Sequence, residues 1–407
     1  MDVSFTSVAI VAAVALLAPL ALDLTGIRLP SIVVEILLGI LVGPQVLGWA
    51  ELDRPVEVLS MIGLAFLLLL AGLEVDYDRL RGKVLRLTSL AYVVSVGLAL
   101  LVGLALKAGD LIRSPLLIAI MLSATGLGII LPILKDAGET STPFGRVVVA
   151  GASIAEVVPI ILLSLFFSGK GGVGAGAVLL ATFAVFVLAV AAAIFAAEHS
   201  MRLSLTFMNL QDTTAEIRVR GAFLLLLLFV VLASQFGLEA ILGAFLAGAT
   251  LKLLDRDNAM THTFFRRKLE AVGFGVFVPF FFVATGLRLD VDALFSSGSA
   301  LARVPIFLGA LLLVRGLPAA LYRPLAERSG QLVAGGLLQA TSLSFLIVAG
   351  QLGVDLDLIS SVNYAALVAA GLLSVIVFPL VALGLLRRSP RQRRAVAPSE
   401  ATAGMEV

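Results

Sequence analysis

Two charged residues stand in the middle of long apolar stretches, where they could carry out ion chemistry. Glu156 lies in the segment GASIAEVVP (151–159), and Arg315 lies in LLLVRGLP (311–318). A charge far from both ends of an apolar segment is costly, which favours a role in an ion or proton pathway. Their opposite signs predict that the two are partners in the interior, with a purely structural ion pair as the alternative.

Two runs of small polar residues occur in other apolar stretches, SATGLG at 123–128 and QATSLS at 339–344. Such residues deep in an apolar segment predict helix breaks, where freed carbonyls and half-helix dipoles can face an ion. Packing of small residues between helices is the alternative. The predicted break residues are Ser123, Ala124, Thr125, Gly126, Ala340, Thr341 and Ser342.

Other acidic residues lie nearer to the ends of the apolar stretches. Glu35 is close enough to such an end to reach a membrane interface, so a structural role is expected. Glu74 precedes a basic loop, which indicates a solvated helix cap. The sequence therefore leaves Glu156 as the main candidate for a buried ion-binding carboxylate.

The elements that must position these residues are membrane helices. Hydrophobic residues make up 60% of the chain and charged residues 14%, whereas soluble domains have about 45–50% and 25%. The composition therefore predicts an all-α polytopic membrane protein, with spans of about 20 residues each. The predicted spans, about thirteen in all, are 4–22, 31–49, 56–74, 85–107, 115–134, 145–168, 173–197, 218–236, 238–254, 270–288, 300–322, 332–352 and 359–386.

The loops that join these spans differ in charge. Most Lys and Arg residues fall in alternate loops, which predicts an N-terminus outside the cell membrane and a cytoplasmic C-terminus. Residues 1–386 then form one transmembrane unit, followed by a short basic tail at 387–407. That tail is expected to meet anionic lipid or solvent, and nothing indicates nucleic-acid binding.

Several sequence patterns recur at a nearly constant offset. The pattern G-L-x-x-D-x-D-x-L occurs at 72–80 and again at 286–294, and LSAT at 122–125 returns as LQAT at 338–341. A looser match pairs Glu35, Gly39 and Gly43 with Glu239, Gly243 and Gly248. Each match shifts the chain by seven helices, and an odd shift inverts a unit in the membrane. The sequence thus predicts an inverted-topology repeat, roughly 31–197 and 238–386, as in secondary transporters.

The chain also resembles a known family over nearly its whole length. The segment RLP at 28–30 followed by VEILLGILVGP at 34–44, with LLLLAGLEVD at 67–76 and FFFVATGLRLD at 280–290, is similar to the monovalent cation:proton antiporters. The closest resemblance is to the branch with Kef-type and NapA-like exchangers. It implies thirteen helices, a dimerisation domain, a core domain, a homodimer, and crossed, unwound fifth and twelfth helices.

The resemblance also implies a site. The family places a carboxylate, usually Asp, in the sixth helix after Asn or Asp. Here Glu156 falls on that position and Ala155 on the one before it, so the second polar group is missing. The family's basic residue in the eleventh helix corresponds to Arg315, and Thr125 and Ser153 would be auxiliary oxygen ligands of the cation.

The predicted function is therefore exchange of Na+ or K+ for H+ by alternating access, with Glu156 as the shared carboxylate. One proton per cation is expected, because Arg315 stays protonated and no second acid is predicted at mid-membrane depth. No cofactor is expected, and no Ser/His dyad or HExxH motif indicates an enzyme. A cation channel or a cation-coupled solute symporter is the alternative.

Overall fold

The computed structural model describes residues 5–26, 30–74, 82–140, 142–167, scattered positions between 174 and 189, and residues 216–254, 259–295 and 298–387. Regular structure within these residues is helical. The helices of the first part are α1 Thr6–Thr25, α2 Ser31–Val42, α3 Arg54–Glu74, α4 Gly82–Ala108, α5 Pro115–Leu122, α6 Leu127–Asp136 and α7 Pro143–Phe167. Those of the second part are α8 Ile217–Gln235, α9 Ala240–Leu254, α10 Ala259–Val272, α11 Val278–Arg288, α12 Val291–Phe295, α13 Gly298–Leu311, α14 Ser329–Gln339, α15 Ser344–Asp355 and α16 Ser361–Arg387.

These helices have the lengths and compositions of membrane spans. Within the described residues, nine helical stretches are long and apolar enough to cross a membrane, and shorter apolar helices stand at Ser31–Val42, Pro115–Leu131 and Ala240–Leu253. Each predicted span corresponds largely to helix where its residues are described, including the few described positions of the seventh, 173–197. Most of that seventh span and nearly all of the tail lie outside the described residues. The all-helical, multi-pass architecture is confirmed, and the count of thirteen stays a prediction.

Both predicted helix breaks are present. The α5 helix ends at Leu122 and α6 begins at Leu127, while α14 ends at Gln339 and α15 begins at Ser344. The two breaks touch, because the Gly126 N–H donates to the carbonyl of Thr341 at 2.9 Å. The helices are thus interrupted at the small polar residues, and the crossing of the two interrupted helices stays a prediction.

Local chemistry explains where the first break occurs. The Ser123 hydroxyl donates to the carbonyl of Ile120 at 2.8 Å and closes the end of α5. The next free donors find partners on other helices, since the Thr125 N–H reaches the carbonyl of Ala155 at 3.2 Å. Non-helical backbone at membrane depth is tolerated where neighbouring protein satisfies its polar groups.

The sequence repeat is visible in how glycines bring backbones together. A Cβ atom at Gly72 would lie 2.2 Å from the carbonyl oxygen of Phe245 on α9, and one at Gly286 would lie 2.3 Å from that of Ile36 on α2. The two recurring G-L motifs thus make equivalent close contacts, α3 against α9 and α11 against α2.

The same contacts correct the alignment of the third sequence match. A Cβ atom at Gly39 would meet the carbonyl oxygen of Val283 at 2.3 Å, and one at Gly248 would meet that of Leu69 at 1.9 Å. Gly39 is therefore the counterpart of Gly248. When the two repeats are aligned with Gly39 on Gly248, the residue that corresponds to Glu35 is Ala244. The predicted pairing of Glu35 with Glu239 is therefore wrong.

We expect Gly248→Ala to destabilise the protein by about 1–3 kcal/mol, since the added methyl group would overlap the Leu69 carbonyl. Gly97→Ala on α4 is the matched control, because a Cβ atom there meets nothing within 4 Å. Thermal unfolding of the two purified variants checks the prediction, and equal midpoints would contradict it.

Candidate functional site: a carboxylate cavity at the helix breaks

A cavity of about 120 Å3 lies against both helix breaks. Its polar lining comes from Glu156 on α7, Glu74 at the end of α3, Thr125 in the first break and Ser342 in the second, with Ser344 at the start of α15. Most of the remaining wall is apolar. Such a cavity has room for a small cation with some of its water.

Glu156 presents a free oxygen at this cavity. Its Oε2 atom is buried and makes no hydrogen bond to any group in the described part of the chain. Its carboxylate also interacts with the backbone N–H of Leu127, the first residue of α6. The positive end of a helix dipole stabilises a carboxylate, so Glu156 is held at the break and keeps one oxygen for a ligand.

Glu74 is the residue that sequence reasoning missed. It is not a solvated cap: its side chain is 17% exposed and its Oε1 atom lies 3.3 Å from Nη2 of Arg266 on α10. It lines the cavity together with Glu156 and lies close enough to act on that residue electrostatically. Its place directly after the repeated Gly72–Leu73 pair was the available signal, but the second copy of the motif has Arg288 there, and the basic residues that follow Glu74 indicated a solvated helix end.

Arg266 connects Glu74 to a second acid. Its Nε atom lies 2.6 Å from Oε1 of Glu270, one turn further along α10, and its side chain is 32% exposed. The Glu74 side chain thus lines the cavity and also contacts a partly exposed arginine.

Arg315 is buried, at 2% exposure, but it does not pair with Glu156. Its guanidinium donates to four neutral acceptors: the hydroxyls of Thr125 at 2.8 Å and Ser95 at 3.0 Å, the Gly151 carbonyl at 3.5 Å, and the side-chain oxygen of Gln339. The predicted ion pair is wrong, because neutral acceptors take four of the five guanidinium N–H groups and no carboxylate of the described residues lies among its hydrogen-bond partners.

The Arg315 network ties four elements together behind the cavity wall. Ser95 lies on α4, Thr125 in the first break, Gly151 on α7 and Gln339 at the end of α14. Arg315 itself lies in a π-helical turn, Leu312–Gly316, a local geometry that is frequent at functional sites. Thr125 is the only one of these four partners that also lines the cavity, so Arg315 acts on the cavity through it.

The other predicted ligand lies away from the cavity. Ser153 is on α7, three residues before Glu156, but its hydroxyl donates to the carbonyl of Val149 at 3.0 Å and does not line the cavity. Glu35 is buried at 5% exposure instead of reaching an interface, and it lies outside the lining too. The structure thus brings together Glu156 and Thr125 of the predicted ligands with Gly126 and Ser342 of the predicted breaks, and adds Glu74 and Ser344.

Carboxylate and hydroxyl oxygens at two touching helix breaks suit a hard monovalent cation. Broken helices that meet beside a buried acid are typical of the class of secondary transporters.

The comparisons with known proteins agree with this class. Residues 12–387 match the family model described as "Sodium/hydrogen exchanger, transmembrane", and the chain belongs to this family. It is 29% identical over 97% of its length to the putative Na(+)/H(+) antiporter YjbQ of Bacillus subtilis. It is 26% identical over 87% of its length to the probable Na(+)/H(+) antiporter 3 of Methanocaldococcus jannaschii, of which it covers 90%.

The fold also matches a solved structure. The sodium proton antiporter MjNhaP1 from Methanocaldococcus jannaschii superimposes with a TM-score of 0.64 at 17% identity, over 93% of this chain and 98% of that one. The chain spans 65% of the length of the Bacillus subtilis relative. The membrane transporter fold is therefore established, and the transported ions are treated below as a proposal.

Proposed function

We propose that the protein exchanges Na+ or K+ for H+ across a cell membrane by alternating access. The observation that carries this proposal is the buried Glu156 carboxylate, which has an unpaired Oε2 atom and belongs to a residue that lines a cavity at two touching helix breaks. The family membership supports the same activity. The proposal includes a homodimer, with the N-terminus outside and the C-terminus in the cytoplasm.

The mechanism is competition for one carboxylate. A negative carboxylate is costly in a low-dielectric interior. A bound proton or a bound cation neutralises it and removes that cost. Glu156 releases its proton to water in the cavity and binds the cation with the oxygens that line the breaks. With a bound proton or a bound cation, the neutral site can cross the apolar barrier between the two sides of the membrane. The empty site is charged, and its charge opposes this movement. One side of the membrane therefore exchanges its cation for a proton from the other.

Glu74 takes the role of a recruiting carboxylate in this proposal. It lines the cavity, and its charge is already balanced by Arg266 at 3.3 Å. Because that balance removes the need for a second proton, the expected stoichiometry stays at one proton per cation. Arg315 contributes no transported proton, since a guanidinium stays charged.

Reconstituted protein tests the proposal. We expect added Na+ or K+ to dissipate a preset pH gradient in proteoliposomes, in a titration that also includes Li+. A potential-sensitive dye should show no membrane potential generated by transport. Cation flux without proton movement would indicate a channel, and dependence on an organic solute would indicate a symporter. A membrane potential generated by transport would contradict the stoichiometry of one proton per cation, but not the exchange itself.

A further inference from the structure

Two residues that line the same cavity each carry a buried side-chain oxygen that makes no hydrogen bond within the described part of the chain. One is Oε2 of Glu156 and the other is the hydroxyl oxygen of Ser342 in the second break. Both residues line the cavity of about 120 Å3. Leaving a buried polar group unsatisfied is costly, and two of them on residues that line one small cavity indicate a shared ligand that both can bind.

The backbone around Ser342 is held in place, so its hydroxyl does not serve the fold. The Ser342 N–H donates to the hydroxyl of Ser374 on α16 at 3.2 Å. The same Ser374 hydroxyl lies 3.1 Å from the carbonyl of Ser342. The single proton of that hydroxyl has a nearer acceptor in the Gly371 carbonyl, at 2.7 Å. Ser374 therefore holds the Ser342 backbone chiefly by accepting its N–H, which restricts the direction of the Ser342 side chain.

The first break differs in this respect. The hydroxyl of Thr125 donates to the carbonyl of Gln339 and accepts a hydrogen bond from Arg315. It is therefore already used in the network behind the cavity wall. Of the two break hydroxyls that line the cavity, the one on Ser342 is the oxygen left for a ligand.

We propose that the Ser342 hydroxyl coordinates the transported cation directly, as a neutral oxygen ligand beside the Glu156 carboxylate. This inference rests on the proposed cation:proton exchange. The Ser342 hydroxyl supplies the second polar group of the site, which Ala155, the neighbour of Glu156, lacks. A hard monovalent cation prefers oxygen ligands, and a hydroxyl adds one without adding charge to the site.

The proposal separates cation binding from proton binding. A proton on Glu156 needs no second ligand, whereas the cation loses one oxygen when the hydroxyl is removed. Ser342→Ala should therefore raise the half-saturating cation concentration by about tenfold, the loss expected for one contact to a charged partner. The maximal rate and the affinity for protons should not change, so the factor should be the same at every pH.

The experiment compares four variants in proteoliposomes, with Na+, K+ and Li+ titrated at several pH values. Ser342→Thr keeps the hydroxyl and should retain wild-type affinity. Ser342→Cys keeps the size but replaces oxygen by sulfur, and should lose affinity as Ser342→Ala does. Ser164→Ala is the matched control, because that hydroxyl is also buried without a partner among the described residues but does not line the cavity.

The outcomes distinguish this proposal from the one it rests on. A wild-type protein that exchanges no cation for protons would overturn the proposed function. Wild-type exchange with unchanged half-saturation in Ser342→Ala and Ser342→Cys would overturn only the role of Ser342. If Ser342→Ala does not fold, the comparison of Ser342→Cys with Ser342→Thr decides. Equal losses in the Ser164→Ala control would also contradict the proposal, because they would show a general packing effect.

Discussion

Glu156→Gln should reduce cation-driven dissipation of a pH gradient in proteoliposomes to the level of empty liposomes. The amide has nearly the same shape as the carboxylate, so the protein should fold and keep its thermal unfolding midpoint. It cannot release a proton at neutral pH, however, and it cannot neutralise a bound cation. Glu156→Asp should retain part of the exchange, because it keeps the negative charge but shortens its reach.

Glu35→Gln provides a matched control for this experiment. Glu35 is also a buried carboxylate, with 5% exposure, but it does not line the cavity. We expect it to leave exchange near the wild-type rate. Full activity of Glu156→Gln, or equal losses in both variants, would place the ion site elsewhere in the molecule.

Arg315→Met should lower the free energy of unfolding by about 1–3 kcal/mol, because it leaves buried neutral acceptors without their donor. The substitution leaves Thr125, Ser95, Gly151 and Gln339 without the donor that joins them. Arg315→Lys should recover only part of the loss, because an ammonium group cannot reproduce the planar, five-donor geometry of a guanidinium. Thermal unfolding of the purified variants measures the effect.

A double-mutant cycle tests whether Arg315 acts independently of Glu156. Since the two side chains form no ion pair, Arg315→Met should cost the same stability in a Glu156→Gln background as in the wild type. Arg113→Ala is the control for loss of a guanidinium. Its partner Asp357 is 89% exposed, so the change should cost no more than about 1 kcal/mol. A strong coupling between Arg315 and Glu156 would restore the predicted ion pair.

The sequence predicted the features that depend on residue type along one helix. Apolar length located the spans, and small polar residues located both breaks, because each property is local. The position of Glu156 in the interior followed from the apolar residues on both sides of it. These predictions needed no knowledge of which helices are neighbours.

The sequence did not predict the contacts between helices. The acceptors of Arg315 are hydroxyls, an amide and a carbonyl, which carry no charge to mark them as partners in the sequence. Glu74 ends its own helix, and it lines the cavity because α6 approaches that end, while Arg266 of α10 pairs with it. A pairing based on opposite charge therefore selected Glu156 for Arg315, although neutral groups were nearer.

The glycine contacts between α3 and α9 and between α2 and α11 limit how this molecule can change shape. They join peptide groups directly, and peptide groups have no rotamers that could be exchanged for a second packing arrangement. Sliding either pair would drive carbonyl oxygens into neighbouring main chain, so each pair must travel as a rigid block. Any rearrangement is left to the surfaces where interdigitating side chains can repack.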